Sequence, residues 1–264
     1  MTNNFAQNND AQRIWFVKPN SIVRTIWGSS DTILFIFAGA AAEFALNKSV
    51  DWLFFTGKLP ADPLGRMFST VDYARQIVFA SHEKACNAIS HIEQIHKHVE
   101  LGRGVKIPME AYLDVLYMLI AYSIAAYECL ERKLTFEEKE EVYAVFYEVG
   151  IRMNLSGLPI DYKQWKIARD QHLQLRLVKS NFTETLLMQY KKHLGAVRYH
   201  ILEMVQTHLL PQKVNRQLGG KKSKIFPFVL VTYKMFKRMG IAKPFQIILL
   251  PKLYRKQVFQ LNVN

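Results

Sequence analysis

Acidic residues are missing from the end of this chain. The last one is Glu203, and residues 204–264 carry twelve Lys/Arg with no Asp or Glu. Residues 1–203 hold 23 basic and 22 acidic residues, so nearly all of the formal net charge of +13 belongs to the last quarter. Cysteine is scarce as well. Cys86 and Cys129 are the only two, both in apolar helical patterns, with no C-x-x-C and no cysteine/histidine zinc spacing. They read as reduced core residues of a chain in the cytosol or on its membrane faces.

Long apolar runs are lacking too. The stretch from Thr32 to Leu46 is fifteen residues and contains Glu43, and the run from Val115 to Tyr127 is shorter. Crossing a bilayer takes about 20 apolar residues, so both read as buried core helices. Met1 to Gln12 is polar and reads as a disordered lead-in rather than a signal peptide. Gly-x-Ser-x-Gly, a phosphate-binding glycine loop, the Rossmann fingerprint and His-Glu-x-x-His are all absent. Glu93-Gln94-Ile95-His96 has a di-iron spacing but stands as a single copy, whereas such bundles need two and further glutamates. Strand-like alternation is scarce.

Half of the residues are hydrophobic, which fits a folded globular protein. Periodicity and punctuation predict an all-α chain. A helix is expected from Asp31, as N-cap, to about Asn47, then a loop over 58–65 and a helix carrying Arg66 to about Phe79. The next should be capped by Ser81 and run to about Glu100. Pro108 should open one as its first residue, ending near Glu131. Thr135-Phe136-Glu137-Glu138 is a capping box for a helix to about Met153. Asp161 should cap the next, and a long helix should run from Asn181 or Thr183 to about Leu210. Residues 212–264 form a basic, aromatic-rich extension whose packing the pattern does not place.

Two pieces of the chain carry chemistry when taken together. Arg66, Thr70 and Tyr73 fall at i, i+4 and i+7 and share a helix face. His96 lies 26 residues after Thr70, on the stripe Ala85, Ile89, Ile92, His96, Val99 that should face a core. Such a pairing suits a cofactor that wants one nitrogen ligand in an apolar slot. Each residue also has an ordinary reading. His96 could be a core histidine with a satisfied hydrogen bond, Arg66 could pair with Asp62 or Asp72, and Thr70 could bond back to the carbonyl one turn earlier. His91 and His98 lie off the stripe and read as solvated.

The run from Asp62 to Tyr73, with Val78-Phe79 and then His96-Lys97-His98-Val99-Glu100-Leu101-Gly102, resembles the family of the latex-clearing protein (rubber oxygenase) and the MpaB-type oxygenases. Later stretches, Ala126 to Leu130 into Leu134 to Glu138, and Gly157 to Ile160, agree in texture, so the likeness covers about residues 20–210. The resemblance implies a globin-like helical bundle around haem b over residues 20–211, between a lead-in (1–19) and the basic extension (212–264). It implies His96 as the iron ligand, Arg66 and Thr70 in the haem pocket with Tyr73 beside them, and a catalytic carboxylate for which Asp51 and Glu43 are candidates. Ser69 stands where rubber oxygenases carry a lysine able to ligate iron, which points away from rubber and toward an open or water-bound distal position. Ala80-Ser81 replaces the usual glycine turn.

The expected function is a haem-dependent oxygenase that oxidises a small apolar, isoprenoid-like molecule with dioxygen or peroxide. The rival is a non-catalytic peripheral membrane protein of the same fold. The basic tail is expected to meet an anionic membrane surface, placing the protein in the cytoplasm at a membrane periphery. Nucleic acid is not an expected partner, because the basic segment lacks a recognisable module.

Overall fold

A computed structural model describes residues 14–241, apart from the side chains of residues 59 and 60. Most of the expected lead-in and the last 23 residues of the basic extension lie outside that span. The described residues are helical, with two isolated bridges, Trp15 to Ser81 and Asn47 to Leu177, and no strand.

Helices α1 (Ile22–Trp27), α2 (Ser30–Ala45), α3 (Val50–Phe55) and α4 (Lys58–Ala61) lead into α5 (Pro63–Val78) and α6 (His82–Arg103). They are followed by α7 (Met109–Leu130), α8 (Phe136–Arg152), α9 (Tyr162–Arg176), α10 (Asn181–Leu194), α11 (Ala196–Leu209), α12 (Gln212–Leu218) and α13 (Phe226–Arg238).

Helices α2 and α7 form the centre. They meet where Gly39 leaves room for the Tyr122 ring, which would collide with any Cβ at that position. One turn on, Glu43 accepts a hydrogen bond from the Tyr122 hydroxyl (2.7 Å) and pairs with Arg169 of α9. Both members of that ion pair are almost fully buried, Glu43 at 2% and Arg169 at 3% exposure. A second buried cluster joins α7 to α9. The Asp114 carboxylate accepts from His172 and from Arg176 (3.1 Å), and Arg176 also reaches the Ser49 hydroxyl (2.6 Å). Trp27 closes the core from α1, donating from Nε1 to the Ser123 hydroxyl (3.2 Å). Helix α7 is, at 22 residues, long and apolar enough to cross a membrane by length and composition. It is the core helix of the fold, carrying buried Asp114, Tyr117 and Tyr122.

Local signals explain the helix ends. The Thr135/Glu138 capping box forms with both hydrogen bonds, and Asp161 caps α9 by accepting from Gln164 N (2.7 Å). Four expectations are corrected. Ser29, not Asp31, caps α2, with its hydroxyl facing Thr32 N, and Asp31 sits in the first turn. Pro108 is the cap of α7 rather than its first residue, and part of the expected loop over 58–65 is helical as α4 and the start of α5. The long helix expected after Asn181 is two helices, broken at Gly195, whose φ of 76° an L-residue adopts only with strain.

The extension is not one unit in its packing. Helix α12 puts Val214 into the same core as α2 and α7, and α13 lies on a smaller cluster of Ala38, Val205 and Leu209 through Phe226. Residues 14–17 are also held: His82 N donates to Ile14 O (2.8 Å), Arg24 lies over the Trp15 ring, and Val17 is buried.

Candidate functional site

Helices α5 and α6 pack against each other to one side of the centre, α5 also touching α1 and α10, and α6 also touching α8. Asp62 starts α5 by accepting from Gly65 N (2.9 Å), with Pro63 in the first turn. Leu64, Phe68, Val71 and Val78 then face the core. Arg66 and Thr70 come two residues after Leu64 and Phe68, about 200° round the helix, on the side of Ile77, which packs with Ala85, Ala88 and Ile89 of α6.

Arg66 is half-buried, and its side-chain hydrogen bond among the described residues is to Thr70 (Nη1 to Oγ1, 3.3 Å). Thr70 donates back to the Arg66 carbonyl (3.2 Å), the ordinary reading for a helical threonine. The ion pair to Asp62 or Asp72 is not among the described salt bridges of Arg66. Burial pushes the guanidinium below its usual pKa, and the Tyr73 phenol offsets this only in part. The Tyr73 ring itself meets His91 of α6 (centroids 5.9 Å apart).

Helix α6 changes character along its length. Ala85, Ala88 and Ile89 are buried, whereas Ile92, His96 and Val99 on the same stripe are half-buried. His91 and His98 are exposed. The His96 ring stands edge-on to Tyr112 of α7, with centroids 5.1 Å apart. Its Nδ1 is buried with no hydrogen-bond partner among the described residues. Burial lowers the His96 pKa, the Arg66 charge lowers it further, and Glu100 opposes both. The imidazole is therefore neutral near pH 7, with a lone pair to give. Arg66, Thr70 and His96 thus come together across the α5–α6 contact.

The two candidate carboxylates sit elsewhere. Asp51 on α3 is ion-paired with Arg103 (2.8 Å), whose guanidinium stacks over the Trp52 ring at 3.9 Å. Arg103 lies seven residues beyond His96, on the same side of α6. Asp51 is therefore tied to the far end of the face that carries His96. Glu43 is held deep in the centre by Arg169 and Tyr122.

Two residues not singled out from the sequence belong to this region. Glu100 accepts from Ile107 N (2.9 Å) and from the Tyr112 hydroxyl (3.4 Å). Burial, then Glu100, pushes the Tyr112 phenol up to about 12. Glu100 was findable, one turn after His96 on the same stripe. Tyr112 was not, since its approach depends on the turn at Gly104. An open depression of about 420 Å³ beside Arg66 is lined by Lys58, Ala61, Asp62, Gly65, Arg66 and Ser69.

The family described as ER-bound oxygenase mpaB/B'/Rubber oxygenase, catalytic domain, matches residues 27–229. The chain belongs to this family. No curated protein and no solved structure matches it. The match spans α2 to α12 and the first turn of α13, so it takes in the α5–α6 site and the first part of the basic extension.

Membership supports an oxygenase, and the resemblance described above implies a haem. The donor set is compatible with one. Among the described residues no three or more His, Cys, Asp or Glu side chains gather as a bare metal ion would need. A porphyrin asks for one neutral nitrogen ligand in a largely apolar wall, and His96, on the loosened half of the α6 stripe with Nδ1 lacking a partner among the described residues, is compatible with that.

Proposed function

We propose that this oxygenase-family chain is a haem b-dependent enzyme that oxidises a small apolar molecule with dioxygen or peroxide. The observation that carries the reading is His96, a half-buried neutral imidazole whose Nδ1 has no partner among the described residues, near a half-buried arginine with no ion pair among them. A buried polar nitrogen without a hydrogen bond is costly, by about 1–3 kcal/mol, unless something else satisfies it. An ordinary core histidine would be satisfied by the fold itself.

On this reading His96 holds the iron, and Arg66, Thr70 and Tyr73 line the cofactor. Haem, when bound, supplies the activation of the oxidant. The remaining work falls to the chain. The fixed positive charge of Arg66 favours anionic groups at the α5 edge, such as a carboxylate of the cofactor. Thr70 holds that guanidinium in place. Asp51, oriented by Arg103, is the carboxylate proposed to accept a proton from substrate. Ser69 beside the depression is short and donates back to Gly65 O (3.1 Å), so it would leave that depression free for a small molecule.

The proposed substrate is apolar and isoprenoid-like, and such molecules concentrate in bilayers. The proposed second partner is therefore an anionic membrane surface met by the basic extension, with the protein cytoplasmic and peripheral to that membrane. Full-length protein purified after expression with a haem supply should be red, with a Soret band. A colourless preparation that stays colourless after haem addition would instead support the rival, a non-catalytic membrane-binding protein on this fold.

A further inference from the structure

We infer that the outward face of α13 is a docking surface for an anionic lipid bilayer, with the helix lying flat on it. The inference rests on the proposed membrane surface and names the part of the chain that meets it. Helix α13 has two apolar stripes on opposite sides. Phe226, Leu230, Tyr233 and Lys237 follow the i, i+4, i+7, i+11 spacing of one face. That face is taken. Phe226 is 4% exposed, its ring is 4.2 Å from that of His208, and Leu230 packs on the same cluster. At the far end Lys237 pairs with Asp31 (3.2 Å) and Glu131 (2.7 Å). These anchors fix which side of the helix points away from the protein.

The outward side carries Phe228, Val231, Met235 and Met239, at i, i+3, i+7 and i+11. They are 75%, 66%, 53% and 63% exposed. Ile225, also exposed, extends the line toward the N-terminus. Scattered exposed apolar residues are normal on a surface, but a continuous line of bulky ones opposite an anchored face marks an interaction site. The charge around it has one sign. Lys221, Lys222 and Lys224 precede the stripe, Arg238 ends it, and no acid occurs after Glu203.

The chemistry favours lipid over other polyanions. Single-stranded nucleic acid calls for aromatic platforms on which bases stack, and the stripe has one aromatic ring among aliphatic and thioether side chains. Apolar side chains flanked by Lys/Arg are how an interfacial helix enters the boundary of headgroups and acyl chains. At 13 residues α13 is about 20 Å long, short of the bilayer core, so it lies on the membrane rather than across it.

The test is co-sedimentation of the full chain with phosphatidylcholine vesicles, with and without phosphatidylserine. Its variant is Phe228→Gln/Val231→Gln/Met235→Gln, whose positions are exposed and whose helix should persist, as checked by circular dichroism. Wild type should bind the anionic vesicles, with added salt weakening binding, and the variant should lose at least about ten-fold in affinity. Wild type binding equalled by a folded variant would move the contact elsewhere on the chain and overturn the assignment of α13, while leaving the membrane reading in place. Wild type that ignores both vesicle types would overturn the two together. Wild type that fails on vesicles but binds a single-stranded oligonucleotide, or that is dimeric where the variant is monomeric, would reassign the stripe to nucleic acid or to a second copy of the chain.

Discussion

Two buried polar regions of this molecule are built on opposite principles. In the centre, Glu43 is paired with Arg169, and Asp114 is held by His172 and Arg176. Beside it, between α5 and α6, Arg66 and His96 are half-buried with no ion pair among the described residues, and their proximity depresses the charged form of His96, which Glu100 only partly offsets. Paired burial ties helices together. Unpaired burial costs stability unless a further component completes it, and that contrast separates a structural cluster from a candidate site better than burial alone.

The sharpest way to break the comparison is to remove one partner from each region. Arg169→Leu strands Glu43 in the core and should cost about 3–5 kcal/mol in urea unfolding. Arg66→Leu removes a charge with no ion pair among the described residues, so apo-protein stability should change by less than about 1 kcal/mol in either direction. Equal losses from the two variants would mean that Arg66 is as structural as Arg169.

A smaller effect should show in pH dependence. Burial pushes the Asp114 carboxyl up, but hydrogen bonds from His172 and Arg176 outweigh it and leave the group below its ordinary value of 3.8. A depressed folded pKa contributes stability that is present above the unfolded value and is lost as pH falls through the folded one. Asp114→Asn should therefore cost about 2 kcal/mol at pH 7, and the gap to wild type should narrow below about pH 4. A gap that stays constant down to acid unfolding would remove the charge from that account.

The clasp at the end of α6 should matter less. Arg103→Ala breaks the ion pair to Asp51 and the stacking on Trp52, both partly exposed, and should cost about 1 kcal/mol. If Asp51 acts on substrate, the same variant should lower turnover by more than that stability loss explains. Smallest of all, Lys97→Ala should leave stability and haem retention unchanged, because Lys97 is an exposed partner of Glu93.

What could be read in the sequence was local. The Thr135/Glu138 box, the Asp161 cap and the stripe from Ala85 to Val99 are set by neighbours a few residues apart, and each formed. The α2/α7 pair was visible as two apolar runs. Their bond through Glu43, Tyr122 and Arg169 was not, because partners 79 and 126 residues apart leave no periodic trace. Gly195 was passed over because one glycine inside a helical pattern is tolerated, and only its positive φ shows the break. Helix α13 was unreadable for another reason. It is apolar on two faces, so the pattern could not say which face the protein keeps. At the site, helical spacing put Arg66 with Thr70, and His96 on an inward stripe. The occupation of Asp51 by Arg103 needed the packing of α3 on α6.

The central claim is that His96 is left open for iron. It is tested most directly by titrating haem into full-length wild type and into His96→Ala, following the Soret band alongside a circular dichroism melt. Wild type should take up haem with a sharpened, shifted Soret band. His96→Ala should keep its helical content and melting temperature and should lose haem or show a different band, since alanine preserves the helix while removing the nitrogen. An identical spectrum and haem content in a folded His96→Ala variant would contradict the account and return His96 to the ordinary core.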